Sequence, residues 1–79
     1  MRHIISIKTE NTPGVLYRIA DIFLKRKVNI ETINAYAVKN DGFSQIYISV
    51  DTLPENVEKI TKQINKVIEV LEVRYHNHI

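Results

Sequence analysis

Glu10-Asn11-Thr12-Pro13-Gly14-Val15-Leu16 stands where the chain changes its hydrophobic period, and that change decides the fold. Before it, His3-Ile4-Ile5-Ser6-Ile7-Lys8-Thr9 mixes β-branched and polar residues with Ile5 and Ile7 on one face, the pattern of a strand. After it, Val15, Leu16, Ile19, Ala20, Ile22 and Phe23 recur at helical spacing while Arg18, Asp21 and Lys25 fall toward the opposite side, which predicts a helix from Val15 to Arg26. Within the stretch, Thr12 is expected as the N-cap and Pro13 as the first helical residue, which puts Gly14 inside the first turn. Glycine there costs roughly 1 kcal/mol relative to alanine. Besides the plain helix start, its presence therefore has a second reading. A small carboxylate could approach the bare backbone closely, drawn by unpaired N–H groups and the positive end of the helix dipole.

Working outward, Lys25-Arg26-Lys27 suit the negative end of that dipole, and Val28-Asn29-Ile30 opens a new element. Ile30 to Lys39 is rich in β-branched and aromatic residues, Asn40-Asp41-Gly42 carries strong turn chemistry, and Phe43 to Val50 alternates. The two strands form a hairpin, with Ile46, Ile48 and Val50 on one face and Phe43, Gln45, Tyr47 and Ser49 on the other. Thr52-Leu53-Pro54-Glu55 reads as a capping box, and Val57, Ile60, Ile64 and Val67 continue at helical spacing. Val70, Leu71, Val73 and Tyr75 mark a last strand, whose junction with the helix falls near Lys66 to Ile68. The order βαββαβ predicts an α+β fold: one domain over residues 1–79, a four-stranded antiparallel sheet with two helices on one face. The open sheet face, with Phe43 and Tyr47, or the strand edges would then suit a dimer contact.

Composition excludes several classes. A chain of 79 residues has one small core of marginal stability, so self-association or a partner subunit is expected. With 44% hydrophobic and 25% charged residues it should fold rather than remain disordered. It has no Cys, hence neither a disulfide framework nor thiolate chemistry, and a cytoplasmic location is expected. No signal-peptide block opens the chain and no apolar run reaches membrane-spanning length, so neither export nor a membrane is expected. A net charge of +2 with both signs interspersed gives little reason to invoke nucleic acid.

RNA binding is nonetheless the rival from another functional class, because RNA-recognition motifs share the βαββαβ order. Gly42-Phe43-Ser44-Gln45-Ile46-Tyr47 faintly echoes their signature, but no basic residue precedes the glycine and the first strand offers no stacking aromatic. His76 and His78 alternate with no carboxylate or Cys to complete a ligand set, and read as terminal residues; His3 reads as a surface strand residue. The carboxylates are dispersed, and no two form an acid/base pair. No active site, metal or cofactor is expected. Asn29 reads as a turn or helix C-cap residue, and its amide could equally pair with the ammonium or carboxylate of an amino acid.

The loop from Asn11 to Leu16 within a βαββαβ frame resembles the ACT domain, a small regulatory module that typically binds amino acids. Met1-Arg2-His3, Glu10-Asn11, Pro13-Gly14-Val15-Leu16, Arg18, Phe23, Arg26 and Asn29-Ile30-Glu31 narrow the resemblance to the regulatory small subunits of acetolactate synthase. Ser44, Val50, Glu58, Ile60, Lys62-Gln63, Asn65-Lys66 and the run Val67 to Val73 agree with it. The resemblance implies a ferredoxin-like fold, a homodimer, a catalytic acetolactate synthase subunit as partner and feedback control of branched-chain amino acid synthesis. It also implies an effector, valine or another branched-chain amino acid, bound between two ACT domains. The positions matching the effector contacts are Asn11, Gly14 and Asn29, with Thr12, Pro13, Val15 and Leu16 completing the loop and Val15 and Ile30 in the side-chain pocket. Lys27-Val28 stands where these subunits commonly have glycine and an aromatic, and Gln45 where arginine is common. A stand-alone ACT amino-acid sensor acting on another enzyme is the alternative.

Overall fold

The computed structural model describes residues 1–38 and 42–77. Its elements follow the predicted order: β1 (Arg2–Glu10), α1 (Val15–Lys25), β2 (Ile30–Val38), β3 (Phe43–Asp51), α2 (Pro54–Ile64) and β4 (Val70–Asn77). The strands form one antiparallel sheet in the order β2-β3-β1-β4, the ferredoxin-like ACT arrangement. Strict alternation explains why β1 and β3 are central. Ile5 and Ile7 from β1, with Ile46, Ile48 and Val50 from β3, all turn to the helix side and are buried. The helices answer with Val15, Ile19 and Phe23 from α1 and Val57, Ile60 and Ile64 from α2, spaced so that each stripe faces the sheet. Fully burying each such side chain is worth about 1.5–3 kcal/mol.

Four local expectations are corrected. His3 is 2% exposed rather than on the surface, because it shares the inward parity of Ile5 and Ile7. Thr12 and Pro13 lie outside the first helix. Its N-cap is Gly14 at φ 86°, a left-handed conformation that cannot continue a helix, so glycine precedes the first turn instead of sitting within it. The second helix is capped from Leu53 without a side-chain bond, and the Thr52 hydroxyl accepts from the Asn56 amide at 2.9 Å in place of a capping box with Glu55. Val67 lies past the end of α2. The turn residues Asn40 and Asp41, and also Lys39 and His78, lie outside the described residues.

The first helix ends where its neighbours dictate. The Val28 N–H donates to the Phe23 carbonyl at 3.0 Å and the Lys27 N–H to that of Leu24 at 3.0 Å, with Lys27 at φ 57°. This is a Schellman termination, with buried Val28 and Phe23 as its hydrophobic contact. It aims the chain from the end of α1 through Asn29 into β2.

Candidate functional site

Every residue of β2 is at least partly exposed, because α1 packs over the centre of the sheet and leaves this edge strand bare. On the helix side of β2, Ile33, Ala35 and Ala37 pair with Ile48, Ile46 and Ser44. Two clefts open along this α1–β2 edge. One, of about 230 Å³, lies under the N-terminal end of α1, roofed by Asn11, Thr12 and Leu16 and floored by Ala35, Ala37 and Ile46, with Ser44 and Thr9 beside them. The other, of about 560 Å³, lies at the C-terminal end and is lined by Tyr17, Ala20, Leu24, Val28, Asn29 and Ile30, among others.

The loop over the first cleft is pinned by its backbone. The Asn11 N–H donates to the Gly42 carbonyl at 3.1 Å and the Thr12 N–H to that of Glu10 at 2.9 Å. The Ser44 hydroxyl donates to Asn11 Oδ1 at 3.0 Å. The Val15 N–H donates to the Thr12 carbonyl at 3.3 Å, whereas those of Leu16 and Tyr17 have no backbone partner among the described residues. These free donors sit at the positive end of the helix, which suits an anion. No atom lies within 4 Å of where a Gly14 Cβ would stand, so space over the loop is open.

Asn11, Thr12, Pro13, Gly14 and Leu16 are all exposed around the N-terminal end of α1, and Asn29 is exposed with Ile30 half-buried at the other end. Val15 departs from expectation. Its side chain is 2% exposed within the core, as its place on the inward stripe of α1 requires, and it lines neither cleft. Nor does one chain bring the two asparagines together. They flank the eleven residues of α1, a helix about 16 Å long, and line different clefts. Ala35, Ala37 and Ser44 are cleft residues the sequence reading did not place there. Their parity with inward Ile46 and Ile48 was the available signal.

Nearby charge is internally matched. Arg18 of α1 pairs with Glu69, whose carboxyl it holds below the usual carboxylate range. The Glu69 carbonyl accepts from the Glu10 N–H and the Thr9 hydroxyl, both at 2.9 Å. On the far side of the sheet, Lys8 Nζ sits 4.2 Å from the centre of the Phe43 ring, and Tyr36 and Tyr47 pack at 6.2 Å. The ring face that an RNA base would stack on is thus taken by a lysine, and β1 adds no aromatic. Among the described residues, no three of His, Cys, Asp or Glu gather as metal ligands, and no helix is long and apolar enough to cross a membrane.

Residues 5–72 match the family described as the AHAS small subunit-like ACT domain. Over 74 residues the chain is 45% identical to the acetolactate synthase small subunit of Bacillus subtilis, covering 92% of this chain and 43% of that protein. Over 73 residues it is 40% identical to a probable acetolactate synthase small subunit of Archaeoglobus fulgidus, covering 92% and 46%. The solved acetolactate synthase small subunit of Thermotoga maritima superposes with a TM-score of 0.84 at 32% identity, over 95% of this chain and 47% of that one. The ACT domain of a Chlorobium tepidum GTP pyrophosphokinase shares the fold, with a TM-score of 0.80 at 22% identity over 96% of this chain and 97% of that domain. The chain spans less than half the length of the curated relatives it matches.

Proposed function

The chain belongs to the AHAS small subunit-like ACT domain family, and from that premise we propose that it senses a branched-chain amino acid for a cytoplasmic acetolactate synthase. In this reading it has no active site of its own and binds the thiamine-diphosphate-dependent catalytic subunit. It transmits end-product inhibition of branched-chain amino acid synthesis.

The observation that carries the reading is the cleft under α1. Its mouth offers donors an amino acid carboxylate needs, in the free N–H group of Leu16 and the amide of Asn11, with the unpaired Tyr17 N–H next along the helix. Its floor of Ala35, Ala37 and Ile46 is apolar and leaves room for a short branched side chain. Asn29 and Ile30 belong to the same effector site, but they come from a second copy. With Asn11 and Asn29 at opposite ends of α1, a two-fold pairing across the bare α1–β2 edge sets the loop of one copy against Asn29 of the other. Regulation follows if the effector favours one arrangement of this dimer over another, because a ligand with equal affinity for both shifts nothing.

Calorimetric titration with valine, leucine and isoleucine, against glycine and serine, tests the reading. Saturable binding selective for the branched side chains is expected, and no selectivity among the five would overturn it. A stand-alone ACT sensor is the second reading, favoured by Lys27-Val28 and Gln45, which replace residues common in acetolactate synthase small subunits. Co-purification with a large thiamine-diphosphate enzyme favours the subunit; its absence favours the sensor.

A further inference from the structure

We propose that Ser44 is a positioning residue that fixes the polarity of Asn11, so that this amide recognises the effector as a hydrogen-bond donor to its carboxylate. The inference rests on the amino-acid-sensing reading above. An asparagine side chain is bifunctional: its oxygen would accept from an ammonium, and its NH₂ would donate to a carboxylate. Which end meets a ligand depends on what holds the other. Here Ser44, 33 residues away in sequence, donates its hydroxyl to Asn11 Oδ1 at 3.0 Å. The Asn11 main chain is held by the same hairpin, through its N–H bond to the Gly42 carbonyl at 3.1 Å. With the oxygen engaged, the NH₂ end has no partner among the described residues, in a cleft that Asn11 and Ser44 both line. It stands at the end of α1 that carries the unpaired Leu16 and Tyr17 N–H groups, so all of these donors suit one anion.

Without the hydroxyl the amide is free to rotate, and donor and acceptor ends compete for the ligand. Three variants and two probes test the proposal. Calorimetry of the wild-type chain compares L-valine with L-valinol, which keeps the ammonium and side chain but lacks the carboxylate. Ser44→Ala should weaken valine binding by about 5- to 30-fold and reduce the preference for valine over valinol, since a loss of about 1–2 kcal/mol corresponds to that range. Ser44→Thr retains the hydroxyl and should keep most of both. Asn11→Asp still accepts from Ser44 but turns a negative oxygen toward the cleft, and should abolish valine binding.

Valine affinity in Ser44→Ala within twofold of wild type, or equal weakening of valine and valinol, overturns the positioning role. Binding in Asn11→Asp as tight as wild type overturns the donor polarity. A wild-type chain that takes up no branched-chain amino acid removes the sensing reading itself, and this inference with it.

Discussion

Gly14 and Lys27 bracket α1, and both hold left-handed backbone, at φ 86° and 57°. The Thr12-Pro13 pair carries the usual signal of a helix start, yet the helix begins later, because a positive φ is a property of the folded backbone that residue identity only permits. Gly14→Ala meets no steric obstacle but must adopt the disfavoured conformation, and should lower stability by about 1–2 kcal/mol in urea unfolding. Gly14→Asp adds to that strain a carboxylate beside the unpaired N–H groups, so it should lose effector affinity beyond what Gly14→Ala loses. Lys27 is the complementary case: a side chain where the Schellman termination favours glycine. Lys27→Gly should raise stability by about 1 kcal/mol, visible as a higher thermal midpoint, and an unchanged midpoint would mean that Lys27 bears no strain.

At the scale of elements, hydrophobic period, β-branched content and turn chemistry together yield all six in order. What they misjudged were ends and polar inward positions. Alternation with Ile5 and Ile7 required His3 to point inward, but its polarity suggested the surface. Thr52 and Glu55 had capping-box spacing, yet Asn56 took the hydroxyl. Tertiary ties between elements are the least legible, and Arg18–Glu69 is the clearest, joining α1 to the start of β4 across 51 residues. Because Arg18 holds the Glu69 carboxyl below its ordinary value, the pair stabilises the fold above the usual carboxylate range. That contribution is lost as pH falls through the lowered value. Asp51 behaves alike, its carboxyl lowered by the N-terminal ammonium at 2.6 Å. Thermal midpoints measured from pH 6 down to pH 3 should therefore fall, and Glu69→Gln should flatten the decline. An acid limb unchanged by that substitution would show that the ion pair does not support stability.

For the molecule as a whole, exposed apolar side chains gather on the α1–β2 edge: Leu16, Tyr17 and Leu24 on the helix and Ile33 on the helix side of the strand. Tyr17 is 82% exposed and Leu24 73%. The open sheet face was the other dimer surface the sequence suggested, but Lys8 over Phe43 and the Glu72–Arg74 pair make it the more polar of the two. The sequence could not rank them, since which face of β2 stays bare depends on where α1 comes to rest. The separation of Asn11 from Asn29, by contrast, was already legible, since the predicted helix from Val15 to Arg26 lies between them. An edge strand with unpaired backbone and an apolar flank is a template for another strand, and a second copy placed there buries the excess apolar surface. Sedimentation should therefore give twice the chain mass at micromolar concentration, and the thermal midpoint should rise with protein concentration, because dissociation accompanies unfolding. Ile33→Asp sets a charge in the centre of that contact while leaving the core residues untouched. It should yield monomer and remove the concentration dependence. By separating Asn29 from the partner loop it should also weaken valine binding, although Ile33 lines neither cleft. A dimer that survives Ile33→Asp would place the two-fold contact elsewhere and dissociate the effector site from it.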